Sequence, residues 1–382
     1  MTITPLGHYD VASRRNDEPV ASLPKKKRPF RVFFAAALIT LLYFGLFPYP
    51  LHRELVAHPA WAVKIPDPED LPLAGTVPPI TAPFHLGGTF GYVASDGAVL
   101  YAAHQLYGVA LSSAGFVSYT RLGTDWIMRD PSGARLLTFS GNGYPLLSPD
   151  GRRVFTVKSD LSGIIELDTA GGDPLWSRDF PSLMTSVSIS PDTVLVGLLN
   201  GGMLVLNAQG AAVFTHTPRG SRIPVIVGTA ISPDSSLIAG MSGIDPQYLT
   251  VLRKAGTGYE SIDRRRLSSD FRREARLAFS PDSRWLVFEE PQGAGLYDPR
   301  TGALDTVSLG GALSGIAFPD HGRCGAFIAR GTDTTFFTVV APFTGPLLSG
   351  SFPGAEVSLG MIDGQLLIGW NGRLLRVDVE AL

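Results

Sequence analysis

After Phe84 the chain repeats one order of apolar and polar positions. A short apolar stretch runs into a turn carrying Asp, often preceded by Ser-Pro, and a second apolar stretch follows. The full copies are YPLLSPDGRRVFTV around Asp150, VSISPDTVLVGLL around Asp192, TAISPDSSLIAGM around Asp234 and LAFSPDSRWLVFE around Asp282. Weaker copies surround Asp96, Asp320 and Asp363. Short stretches rich in β-branched and aromatic residues and bounded by turn residues read as strands. From Asp150 onward the aspartates are spaced by 42, 42, 48, 38 and 43 residues, while Asp96 to Asp150 is 54. A period near 40–45 residues matches one four-stranded propeller blade.

A second signature follows about sixteen residues later in most copies. It reads Leu167-Asp168-Thr169-Ala170-Gly171-Gly172 before Leu175-Trp176, and recurs at Leu206-Asn207-Ala208-Gln209-Gly210 and Tyr297-Asp298-Pro299-Arg300-Thr301-Gly302. A weaker match is Leu111-Ser112-Ser113-Ala114-Gly115, with Ser112 at the Asp/Asn position. Pro presets the first turn position and Asp bonds the backbone two residues on, while Gly takes the positive φ of tight hairpins. Each blade is then strand, Ser-Pro-Asp turn, strand, strand, Asp/Asn-x-x-Gly turn, strand. Seven first strands are expected, near 89–95, 145–148, 186–190, 228–232, 276–280, 314–318 and 356–361.

SPDG before a strand, and LD-x-x-x-G-x-x-LW after one, resemble the YVTN, TolB and PQQ-like (WD40-like) propeller repeats. The resemblance covers about residues 85–382 and implies fold more than function, because this superfold hosts unrelated activities. It brings no PQQ site. Quinoprotein dehydrogenases of that fold usually offer vicinal cysteines and a calcium-binding acid cluster, and this chain has one cysteine.

The expected fold class is therefore all-β, a propeller of seven four-stranded blades preceded by one transmembrane helix. The last copy stops before its fourth strand, and an open strand edge invites aggregation. A strand within residues 74–84 is expected to close the ring. The long first interval holds an extra Asp130-Pro131-Ser132-Gly133 hairpin, either an insertion or an eighth, degenerate blade.

Residues 32–49, VFFAAALITLLYFGLFPY, carry no charge and follow KKKRPFR. A bilayer core takes about 20 apolar residues, and basic residues stay on the cytoplasmic side. The organisation expected is a basic cytoplasmic segment 1–31, a membrane span 32–50, a Pro-rich linker with a possible closing strand at 51–84, and an extracytoplasmic propeller at 85–382. A cleaved signal ending near Ala60-Trp61-Ala62 is the rival reading; both export the rest of the chain.

The 382 residues carry a formal net charge of −2, which gives the whole chain no nucleic-acid signature. The single cysteine, Cys324, excludes an intramolecular disulfide and a multi-cysteine metal site, and reads as a small buried hydrophobe. No two of the seven histidines have close ligand spacing, no G-x-S-x-G elbow occurs, and no Gly-rich phosphate loop precedes a helix. No catalytic residue, metal or cofactor is assigned. The recurring aspartates are read as turn residues, and Trp126, Trp176, Trp285 and Trp370 as filling between blades. One segment stands apart: Arg264, Arg265, Arg266, Arg272, Arg273 and Arg276 lie within thirteen residues. Its plain reading is a solvated edge paired with Asp263, Asp270 and Glu274; its functional reading is a patch for phosphate, anionic lipid or an acidic partner.

These features favour a membrane-anchored, extracytoplasmic scaffold or accessory subunit contacting an envelope protein. The alternative is an enzyme or a small-ligand or glycan binder with its site at the mouth of the central channel. Convergent polar groups in a funnel would favour the alternative, and an exposed apolar patch on one face would favour the scaffold.

Overall fold

Turn chemistry sets the frame. In the Ser-Pro-Asp turns the carboxylate of Asp150 accepts from Ser148 Oγ at 2.6 Å and from the Arg152 backbone at 3.1 Å. Asp234 and Asp282 repeat both contacts with Ser232 and Ser236, and with Ser280 and Arg284. Neighbouring turns are also bonded to one another. Ser113 N donates to Pro149 O at 3.0 Å, Ser190 Oγ meets Ser235 Oγ at 2.7 Å, and Ser283 Oγ donates to Asp234 at 3.0 Å. The aspartates serve the turns, and the turns join blade to blade.

The computed structural model describes residues 55–70, 77–120, 123–354 and 356–381, together with Thr40. Among them, eight antiparallel sheets follow one another along the chain. We number them blades 1 to 8: residues 81–104, 108–140, 143–179, 184–216, 223–266, 277–308, 312–353, and 357–381 joined by the strand Leu55–Lys64. First strands of neighbouring blades pack side by side around the axis. Burial falls outward: in blade 3, Gly163–Leu167 is almost wholly buried, whereas the outermost strand Pro174–Asp179 alternates between exposed and half-buried. The core lies between blades, as where Phe155 and Ile164 of blade 3 meet Val194, Val196 and Leu206 of blade 4. Trp126 and Trp285 are buried in such layers. Trp176 and Trp370 are partly buried, and each donates its indole N–H to a carbonyl of a neighbouring blade. Cys324 is 1% exposed, and burial with the nearby Asp320 pushes its thiol up to about 11.

The expected fold class is corrected in blade number: eight, not seven. The 54-residue interval contains a whole additional blade. Asp96 sits between the second and third strands of blade 1 (Thr89–Ala94 and Val99–His104), so residues 89–95 are not a first strand. Ser112–Gly115 is the first turn of blade 2 and not its last, as its bond to Pro149 in the Ser-Pro-Asp turn of blade 3 shows. The Asp130 hairpin joins the third and fourth strands of blade 2. An Asp-Gly pair marks a tight hairpin wherever one is needed, and does not say which hairpin of a blade it is.

The closing strand is also corrected. The ring is closed by Leu55–Lys64, which pairs antiparallel with Arg373–Ala381 as the outermost strand of blade 8. Residues 81–84 instead begin the first strand of blade 1. The strand lies within the segment 51–84 that was expected to hold a linker and a closing strand. Pro59, in the expected Pro-rich segment, lies on an edge strand beside a bulge, where its missing N–H costs nothing. Trp61 Nε1 donates to Ser95 O at 2.8 Å and ties this strand to blade 1. Among the described residues no helix is long and apolar enough to cross a membrane. The expected transmembrane segment 32–50 lies outside the described residues apart from Thr40.

Candidate docking face

Leu146, Ile189, Ile231 and Phe279, from the first strands of blades 3 to 6, line a cavity of about 480 Å³ beside the Ser-Pro-Asp turns. Farther along the same strands the wall becomes polar, with Ser186, Ser188 and Thr229. These hydroxyls are used locally: Ser186 Oγ meets Thr229 Oγ1 at 3.0 Å, and Ser188 Oγ donates to Thr229 O at 2.8 Å. Among the described residues no group of three or more His, Cys, Asp or Glu side chains is placed to hold a metal.

The face opposite the Ser-Pro-Asp turns carries the second-to-third-strand turns and the connections between blades. On blades 3 to 5 it exposes a line of large apolar side chains: Leu161 at 37%, Leu183 at 44%, Leu199 at 48% and Ile223 at 46%. Backbone bonds hold the line together. Met184 N donates to Leu161 O and Leu199 N to Leu183 O, both at 2.9 Å. Gly201, at φ +88°, closes its turn against Pro224, where a Cβ would come within 2.8 Å of the ring.

Leu161 occupies a costly position. Its N–H closes the turn onto Lys158 O, as Gly201 N does onto Leu198 O one blade later. The two residues are equivalent, and Leu161 adopts φ 59° where blade 4 has glycine. A left-handed conformation costs an L-residue about 1–2 kcal/mol. More than a third of this apolar side chain is left in solvent, at a position that also carries a backbone cost. At its side Asp160 accepts from Ser162 N and Oγ, and these bonds hold its carboxyl below the usual range.

The six arginines singled out in the sequence do not form one patch. Arg265 turns inward to Asp263 at 2.7 Å and to Gly302 O. Arg273 grips the fully buried Glu289 with both terminal nitrogens, and Arg276 N donates to the same carboxylate at 3.1 Å. The Arg276 side chain lines the polar part of the axial cavity. Arg264, Arg266 and Arg272 remain outward. Arg264 lies 3.6 Å above the Tyr248 ring and donates to Arg219 O. That contact brings in Arg219 and Arg222, exposed residues of the connection leading to Ile223 that sequence proximity did not reveal. Arg219 and Arg222 thus lie on the connection into Ile223, with Arg264 reaching Arg219; Arg222 pairs with Asp245 at 3.2 Å and Arg272 with Asp270 at 3.4 Å. Burial and the charge of Arg264 push the His216 imidazole down.

Comparison with known proteins gives the same architecture. A family model described as beta-propeller protein matches residues 23–382. An uncharacterized protein of Treponema pallidum (strain Nichols) is 22% identical over 366 residues, spanning 94% of this chain and 96% of its own. The crystal structure of BamB from Moraxella catarrhalis superposes with a TM-score of 0.55 at 16% identity, over 85% of this chain and 100% of that one. The computationally designed Ika8 protein gives 0.57 at 17% identity, over 79% and 96%. At such identities the likeness concerns the fold alone.

Proposed function

The chain belongs to the beta-propeller protein family, and from that premise we propose that it is a protein-docking scaffold whose working surface is the apolar line on blades 3 to 5. The observation that carries this is Leu161, an exposed leucine in a backbone conformation that its equivalent in blade 4 gives to glycine. Contiguous exposed apolar side chains on one face mark interaction surfaces. The axial hydroxyls, by contrast, are bonded to one another. We further propose that the scaffold works in the cell envelope, outside the cytoplasm, as an accessory subunit of a larger complex. Support for this is the uncharged run 32–49 behind Lys25, Lys26, Lys27, Arg28 and Arg31.

The test is site-specific photo-crosslinking of the full-length protein in the cells that express it. A photoreactive residue replacing Leu183 or Leu199 should give a discrete protein adduct. One replacing Leu136, exposed on the outermost strand of blade 2, should not. Adducts of equal yield from all three sites, or from none, would overturn the docking reading. A captured partner confined to the cytoplasm would overturn the envelope placement.

A further inference from the structure

The apolar line has ends of opposite charge. On blade 3 it begins beside the exposed Asp160 and the Lys158–Asp179 ion pair. On blade 5 it runs into Arg222, and past it to Arg219, Arg264 and Arg266. The guanidinium groups of Arg219 and Arg266 have no partner among the described residues, and Arg264 is held outward by Tyr248. We propose that the occupant of this face is a protein segment with an apolar stretch followed by carboxylates, the stretch lying along Leu161, Leu183 and Leu199 and the carboxylates on the blade 5 arginines. This rests on the docking role proposed above, and adds to it the chemistry and orientation of the partner.

Two observations favour a protein segment over an anionic membrane. The four apolar side chains are each at least half covered, and backbone contacts link their turns in sequence from blade 3 to blade 5, which suits a linear element laid along them. A bilayer-inserting surface presents its apolar side chains with basic residues around them, whereas here a carboxylate sits at the blade 3 end. Arginine suits the opposite end because its planar fork takes a carboxylate by two parallel bonds.

The experiment uses the full-length protein with the photoreactive residue at Leu199. One variant carries Arg219→Glu and Arg266→Glu, which break no side-chain contact seen in the structure; a second carries Leu183→Asp. Crosslinking is run on native membranes at low salt and at 0.5 M salt, where charge interactions beyond about 4–5 Å are largely screened. The expected result is a protein adduct that falls about tenfold in the double arginine variant and several-fold in high salt, as for charge-steered association. An adduct abolished by Leu183→Asp but indifferent to both arginine reversal and salt would overturn the acidic partner and leave the docking role standing. No adduct from the unsubstituted face would remove the docking role itself. Adducts to lipid in place of protein would overturn the proposal in favour of a membrane surface.

Discussion

Replacing Leu161 with Asn separates what this residue does for the fold from what it does for a partner. Two terms oppose each other. Leucine at φ 59° carries a conformational cost of about 1–2 kcal/mol. Asparagine tolerates that region, as Asn371 does at φ 49° in this same chain. Against this stands lost apolar burial. Full burial of a leucine is worth about 1.5–3 kcal/mol, and Leu161 remains 37% exposed, so the loss is about 1–2 kcal/mol. The net change should lie within about 1 kcal/mol of zero. Leu198, on the equivalent hairpin of blade 4 and 1% exposed, should instead cost about 2–5 kcal/mol on truncation to Ala. Urea denaturation followed by tryptophan fluorescence measures both. An unchanged slope with nearly unchanged midpoint is expected for Leu161→Asn, and a clearly lowered midpoint for Leu198→Ala. The crosslink yield from position 199 should fall several-fold in Leu161→Asn. A stability loss above about 2 kcal/mol would show that the leucine is kept for packing. An unchanged crosslink yield at intact stability would show that the exposed line does not bind.

Two predictions concern the bonds that join the blades. Arg153 of blade 3 makes two 2.7 Å bonds to Glu166, both side chains under 10% exposed, and also reaches Ser190 O of blade 4. Glu166→Gln should cost about 3–5 kcal/mol because it leaves a buried guanidinium uncompensated, whereas Arg153→Met with Glu166→Leu should be close to neutral; thermal melts that rank the double variant below the single one would refute this. At the Asp234 turn, burial raises the carboxyl, but hydrogen bonds from Ser232, Ser236 and Ser283 outweigh it and hold the group at about 2. A lowered pKa stabilises the folded state above the ordinary carboxyl value of 3.8, and that stability is lost as pH falls through about 2. Because the side chain is exposed, the effect should be no more than about 1 kcal/mol. Denaturation midpoints of the wild type and Asp234→Ala should therefore differ at pH 6 and draw together toward pH 2; a gap that widens in acid would refute the assignment.

Much of the fold was written in turn residues, and the errors have the same origin. Six of the seven expected first strands lie where the Ser-Pro-Asp, Asp320 and Asp363 turns put them. The seventh failed because the hairpin at Asp96 has the same chemistry but joins different strands. The closing strand was misplaced because residues 55–64 run into a proline-rich stretch that reads as an extended spacer until the edge position of Pro59 is known. The candidate face was legible only in part. Its members are short of any local motif: Leu183 lies between blades, Leu199 in a hairpin, and Arg219 more than forty residues from Arg264. Only the circular stacking of blades makes them neighbours. Conversely, six arginines adjacent in sequence were separated, because the chain between Arg266 and Arg276 travels from the outermost strand of blade 5 toward the innermost strand of blade 6. One signal was nonetheless available. Aligning the hairpins sets Ser159-Asp160-Leu161-Ser162 against Leu199-Asn200-Gly201-Gly202, with leucine where the turn asks for glycine. A repeat protein tests every position against its copies, so a residue that is wrong for its turn and exposed in solvent is evidence for a demand outside the fold.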